Sequence, residues 1–88
     1  MLFKASIVVK LKPELTDGEG EATYGSLRDL GYNVRSVRVG KLYEVVLEAN
    51  DEEEAVKLVD SMCRRLLANP EVKDDYSFRV EALKEGSE

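Results

Sequence analysis

The sequence contains no histidine and a single cysteine, Cys63, among its 88 residues. Without imidazole it lacks the usual general base, the commonest metal ligand and every nucleophile triad that depends on one. One cysteine cannot form an internal disulfide, which fits a reducing cytoplasm. No stretch approaches the roughly 20 apolar residues of a membrane-spanning helix. Met1-Leu2-Phe3-Lys4 does not open a secretory leader, because no long apolar run follows a basic region. Positive charge is also in short supply: 13 Lys and Arg against 18 Asp and Glu leave a net charge of -5. Nucleic acids and anionic membranes both reward a cationic face, so an acidic surface speaks against either as a partner. Proline occurs only twice, and both prolines read as stops.

What is present reads as one domain over residues 1–83, with residues 84–88 a polar, disordered tail. Hydrophobic content of 43% supports one modest core, and 35% charged residues cover it. Residues 2–11 alternate: Phe3, Ala5, Ile7, Val9 and Leu11 against Lys4, Ser6, Val8 and Lys10. Period two with β-branched residues predicts a strand, and Pro13, which cannot donate to a ladder, ends it. Thr16 or Asp17 caps a first helix with Tyr24, Leu27 and Leu30 inward and Gly31 as its left-handed stop. Gly18, Gly20 and Gly25 weaken that helix by about 1 kcal/mol each if interior, so its start is expected to fray.

Residues 33–39 predict a second strand, and Gly40-Lys41 a tight reversal into a third strand ending at Ala49. Asn50 or Asp51 caps the best helix, and Glu53 or Glu54 completes the capping box. The apolar stripe of that helix is Ala55, Val56, Leu58, Val59, Met62, Cys63, Leu66 and Leu67. Asn69-Pro70 stops it. A last strand carries Tyr76, Phe78, Val80 and Ala82 on one face. The order β-α-β-β-α-β predicts an α+β ferredoxin-like sandwich: an antiparallel sheet with two helices on one face. Val8, Leu42 and Val46 would then lie on the helix-free face, where three aliphatics suit a covering partner or the isolated exposure common on protein surfaces.

Few residues carry chemistry. Cys63 lies on an apolar stripe and reads as a buried structural thiol. Asp51-Glu52-Glu53-Glu54 lacks the alternation and glycine of a calcium loop, and its acids suit a helix N-terminus. Gly18-Glu19-Gly20-Glu21 lacks the lysine-serine ending of a phosphate loop. Arg35, Arg38 and Lys41 form a small basic locus. It suits an anion or a partner's carboxylate, or is a solvated turn that discourages edge pairing. Tyr32 follows the helix stop outside both stripes and is the better tyrosine for an interface, whereas Tyr43 and Tyr76 fall in core phase.

Several segments, in order, resemble the PurS family, the small subunit of formylglycinamide ribonucleotide amidotransferase. They are Leu11-Lys12-Pro13; Leu27 with Leu30-Gly31-Tyr32; Val37-Arg38-Val39-Gly40-Lys41 with Glu44; Met62-Cys63; Leu66-Leu67-Ala68-Asn69-Pro70; and Asp75-Tyr76-Ser77-Phe78. The resemblance spans about residues 2–82. It departs at Thr16-Asp17-Gly18-Glu19-Gly20, where the family typically has an aspartate-proline helix start.

The resemblance implies a cytoplasmic, non-catalytic subunit of an ATP- and glutamine-dependent carbon–nitrogen ligase of purine biosynthesis. Such a subunit forms a dimer or tetramer, bridges a large synthetase subunit and a glutaminase subunit, and supports ammonia transfer. It would bind no cofactor itself, ATP and Mg being used by the synthetase subunit. The matching positions Arg38, Gly40, Lys41 and Glu44, with Asn69, Pro70 and Tyr76, would be interfacial or structural. The competing expectation is a ligand-binding regulatory ferredoxin-like module acting as a homo-oligomer. Its support is the basic locus near Lys41.

Overall fold

The computed structural model describes residues 1–84, so the expected tail lies, beyond Lys84, outside the described residues. The elements are β1 (Leu2–Leu11), α1 (Gly18–Asp29), β2 (Gly40–Glu48), α2 (Glu52–Met62), a π-helical turn (Cys63–Leu67) and β3 (Asp74–Leu83). The three strands form one antiparallel sheet in the order β2-β1-β3. The α+β class, the antiparallel sheet and the two helices are as the sequence predicts.

β1 is the centre of the sheet. Its alternation becomes burial: Phe3, Ala5, Ile7 and Val9 are all buried. Residues of that parity register with Leu47, Val45, Tyr43 and Lys41 on β2 and with Ala82, Val80, Phe78 and Tyr76 on β3. The capped helix α2 lies over this face. Asp51 Oδ1 accepts from the Glu54 amide at 2.8 Å, and Glu54 Oε1 accepts from the Asn50 amide at 2.8 Å. This reciprocal pair satisfies two end-of-helix donors. Ala55, Val59 and Cys63, four residues apart, are each completely buried. Each fully buried large side chain, such as Phe3, Ile7 and Val59, contributes about 1.5–3 kcal/mol.

The helix then widens into a π-helical turn, in which the Ala68 amide donates to the Cys63 carbonyl at 2.8 Å. The wider turn leaves Leu67 half-buried and Leu66 82% exposed. The expected stripe is therefore narrower in fact. Ala55, Val59 and Cys63 are buried, whereas Val56 and Leu58 remain exposed.

The two βαβ halves do not close alike. The expected strand over residues 33–39 makes no ladder, and Gly40 makes no reversal. Gly31, at φ 98°, has the only positive φ among the described residues. Gly40 instead opens β2 opposite Lys10. A Cβ there would fall 2.5 Å from Lys10 Cγ and 2.7 Å from the Val9 carbonyl, so its glycine serves close approach rather than a turn. The chain therefore runs from 33–39 directly into β2.

Helix α1 lies against residues 33–37, through Arg28 to Asn33 and Val34 and through the close approach of Gly20 to Val37, and not substantially on the sheet. Its stop is the expected one: the Gly31 amide donates to the Arg28 carbonyl at 2.9 Å and the Tyr32 amide to the Leu27 carbonyl at 3.1 Å. Its start is capped by Asp17, one of the two expected residues, which accepts from the Gly20 amide at 2.9 Å. Tyr24 and Leu27 are half-buried, but Leu30, expected inward, is 74% exposed.

α1 and residues 33–39 thus form an arm beside a body of three strands and α2. The extents are 49 × 30 × 15 Å and the radius of gyration is 16.5 Å, against about 12 Å for a compact domain of this length. The expected consequence for stability is uneven. Ile7→Ala, at the centre of the body, is expected to cost about 2–5 kcal/mol. Gly31→Ala is expected to cost at least about 1 kcal/mol through left-handed strain. Urea denaturation at fixed protein concentration checks both.

Candidate docking surface

The sheet has two faces with different needs. On the helix-bearing face, α2 lies over β1 and β3. Tyr43, Val45 and Leu47 of β2 are only half-buried there. In a closed ferredoxin-like sandwich a second helix would lie over them, but α1 stands off with the arm. Beside them opens a groove of about 580 Å³, walled by Val9, Tyr43, Leu67 and Ala68 and rimmed by Lys41 and Lys73. On the helix-free face, Leu42 is 64% and Val46 43% exposed. Val8, in register with Leu42, is half-buried. The aliphatics expected on that face are therefore there.

The residues singled out in the sequence divide between these surfaces and plain structural work. Tyr32 is 60% exposed directly after the α1 stop. Arg35 is exposed on the arm, along a second groove shared with Tyr24, Val37 and Arg38. Arg38 does not project freely. Its guanidinium donates to the Leu11 carbonyl at 2.5 Å and to the Lys12 carbonyl at 3.2 Å, fastening the arm to the end of β1. Lys41 is exposed opposite Val9 and lines the larger groove. Glu44 lies on the helix-free face and pairs with Lys4 at 3.2 Å. An ion pair this exposed adds little stability. The structure therefore separates Arg38 and Lys41: one is committed to the arm junction and the other faces the groove.

Asn69 and Pro70 shape the link from α2 to β3. The Asn69 carbonyl accepts from the Lys73 and Asp74 amides at 3.0 and 2.9 Å, and the Asn69 amide donates to Asp74 Oδ2 at 2.9 Å. Tyr76 joins strand to helix. Its hydroxyl donates to Asp60 Oδ1 at 2.5 Å, and Arg64 Nε donates to Asp60 Oδ2 at 2.9 Å. The Arg64 guanidinium also lies over the Tyr76 ring, 5.9 Å from its centroid. The sequence places Tyr76 in the core but gives no sign of this triad, because Asp60 and Arg64 read as ordinary i,i+4 surface charges.

The other carboxylate that sequence reasoning undervalued is Asp17, considered there only as a cap. It is buried, and its second oxygen accepts from the Val39 amide at 2.7 Å. The spacing Asp17-Gly18-Glu19-Gly20, a cap with glycine three residues on, is the one local signal that another backbone approaches there.

Electrostatics assign these groups to structure. The Tyr76 hydroxyl, then Arg64, hold the Asp60 carboxyl below its ordinary value, against a smaller opposing effect of burial. The same hydrogen bond raises the Tyr76 phenol. Burial raises the Cys63 thiol, the wrong direction for a nucleophile. Among the described residues every buried side-chain nitrogen and oxygen has a partner, and no three His, Cys, Asp or Glu converge in a way that could hold a metal. No helix among them is long and apolar enough to cross a membrane.

What the geometry assembles is a small α+β module with a three-stranded sheet, one helix over it and aliphatic side chains exposed on its helix-free face. The chain belongs to the PurS family, described as phosphoribosylformylglycinamidine (FGAM) synthase, whose profile matches residues 4–82. The PurS subunit of phosphoribosylformylglycinamidine synthase from Synechocystis sp. is 43% identical over 82 residues, covering 92% of this chain and 81% of that protein. The PurS subunit from Methanocaldococcus jannaschii is 36% identical over 83 residues, covering 93% and 99%. In the solved structure of PurLQS from Thermotoga maritima, one chain superposes with a TM-score of 0.85 at 34% identity, covering 92% of this chain and 99% of that one.

The Asp60 triad has a pH signature. A carboxyl whose folded pKa is depressed contributes stability that is present above its unfolded value, 3.8, and is lost as pH falls through the folded one. Carbon-detected titration is expected to place Asp60 below 3.8. Tyr76→Phe and Arg64→Met are each expected to move it upward, since the Tyr76 hydrogen bond and the Arg64 hydrogen bond and charge all hold it down.

Proposed function

We propose that this chain is the small, non-catalytic subunit of a phosphoribosylformylglycinamidine synthase of purine biosynthesis. In this reading it self-associates and bridges an ATP-dependent synthetase subunit and a glutaminase subunit. Ammonia released from glutamine passes through the assembly so formed. The chain works in the cytoplasm and binds no cofactor, with ATP and Mg engaged by the synthetase.

The observation that carries the proposal is the incompleteness of the chain as a monomer. One helix covers a three-stranded sheet, α1 is held away from it, Leu42 and Val46 are exposed on the helix-free face, and Tyr43, Val45 and Leu47 are only half-buried on the other. Exposed aliphatics rimmed by polar residues mark interaction surfaces. A second copy offers the matching parts: a helix that its own sheet does not use for the uncovered half of the helix-bearing face, and a like sheet face of mixed charge and aliphatics for the other. Membership in PurS supports the remaining assignments, as does the PurLQS assembly in which the Thermotoga relative was solved.

The regulatory-module reading keeps one observation in its favour. Lys10, Lys41 and Lys73 line a groove that offers cations to a small anion, although Asp17, Glu19 and Asp74 line it too.

Mixing this chain with the two larger subunits decides the matter. Sedimentation of the chain alone is expected to give a dimer or a larger oligomer. Glutamine- and ATP-dependent amidine formation is expected only when all three subunits are present. Undiminished activity with this chain omitted would sink the proposal. Thermal stabilisation by a phosphate or nucleotide, with no effect of the chain on amidine formation, would favour the regulatory module instead.

A further inference from the structure

The arm meets the body at a narrow junction. The chain leaves the body through residues 12–17 and returns through Val39. Two side chains tie these passages together. Arg38 donates to the Leu11 and Lys12 carbonyls. Asp17 uses one carboxylate oxygen to cap α1 through the Gly20 amide and the other to hold the Val39 amide on the returning strand.

The fit around Asp17 is close. A Cβ on Gly20 would fall 2.6 Å from the Val37 carbonyl, so only glycine lets the helix start approach the returning strand. Asp17 is buried, whereas its neighbours Thr16, Gly18 and Glu19 are exposed. The returning strand joins the sheet only at Gly40, so Val39 is the last residue before the ladder begins. A bond at that residue governs the angle at which everything before it departs.

We propose that the Asp17 carboxylate is the pin of a hinge that fixes the direction of the α1 arm relative to the body. Gly20 provides the clearance and Arg38 the second fastening. Pinned, the arm holds one direction and carries the exposed Tyr32 with it. Unpinned, it samples a cone of directions, and any association that uses it loses its pre-organisation. The link to association rests on the self-association proposed above. The hinge itself does not.

Asparagine separates the two bonds of the pin. It caps a helix about as well as aspartate, so Asp17→Asn keeps a carbonyl oxygen for Gly20. Its amide nitrogen, a donor, then faces the Val39 donor. In the full-length chain, amide exchange at Val39 is expected to speed up at least tenfold in Asp17→Asn. Gly20 and the body strands, read at Ile7 and Val45, are expected to stay near wild type. Asp17→Ala is expected to release Val39 and Gly20 together. Small-angle scattering at the lowest usable concentration is expected to show a broader distance distribution in both variants. Self-association is expected to weaken about tenfold.

Unchanged Val39 exchange in both variants would overturn the proposal, as would faster Val39 exchange with an unchanged distance distribution. A wild-type chain that sediments as a monomer at every concentration would remove the self-association reading. The hinge would then stand or fall on exchange and scattering alone, with release of Val39 and a broadened distribution supporting it.

Discussion

β1 is the only described strand with a hydrogen-bonded neighbour on each side, and most of the structure depends on what lies across its inner face. Phe3, Ala5, Ile7 and Val9 need a lid, and α2 provides it through Ala55, Val59 and Cys63. One helix of 11 residues cannot cover three strands of nine or ten. It settles over β1 and β3 and leaves β2 short of cover. In a self-contained sandwich of this class a second helix would fill that space. Here the Asp17 and Arg38 bonds hold α1 on the far side of a junction. The uncovered half of the sheet and the helix set apart from it are thus two consequences of one arrangement.

Much of this was legible in the residues. The alternation in β1 and β3 maps onto burial because period two leaves a strand no other way to segregate Phe3, Ile7 and Val9 from Lys4, Ser6 and Lys10. The α2 cap was equally plain, since Asp51 and Glu54 stand at the spacing that a reciprocal cap requires. The fate of residues 33–39 was not legible. Val34, Val37 and Val39 favour extended backbone, and that preference does not say whether the segment enters a ladder. Gly40 was ambiguous for a like reason, because glycine marks both tight turns and close approaches. What decided between them was a contact between residues 22 apart in sequence, Asp17 and Val39. No local pattern announces such a contact. The exposure of Leu66 was hidden in the same way, since a π-helical turn leaves no signature in an apolar stripe.

The candidate site was legible by type and not by arrangement. Absence of histidine and of an activated thiol pointed away from catalysis, and the carboxylates that stand out in the fold, Asp17 and Asp60, are engaged in bonds between elements. The basic locus read as one feature is in fact two. Arg38 spends its donors on backbone carbonyls, and Lys41 lies across β1 in a groove with an apolar wall. The residues that hold the architecture together most economically, Asp17 and Asp60, each tie two elements through both carboxylate oxygens. In sequence they are two of 18 acidic residues.

The central claim is that the lone chain is an incomplete body whose arm and β2 face are finished by association. Hydrogen-exchange footprinting across a dilution series, and again after addition of the larger subunits, tests it most directly. The account predicts that amides of α1, residues 33–39 and β2 gain protection on association, while those of β1 and α2 are already protected in the dilute chain. Equal protection of all these segments at the lowest concentration, unchanged by partners, would contradict it.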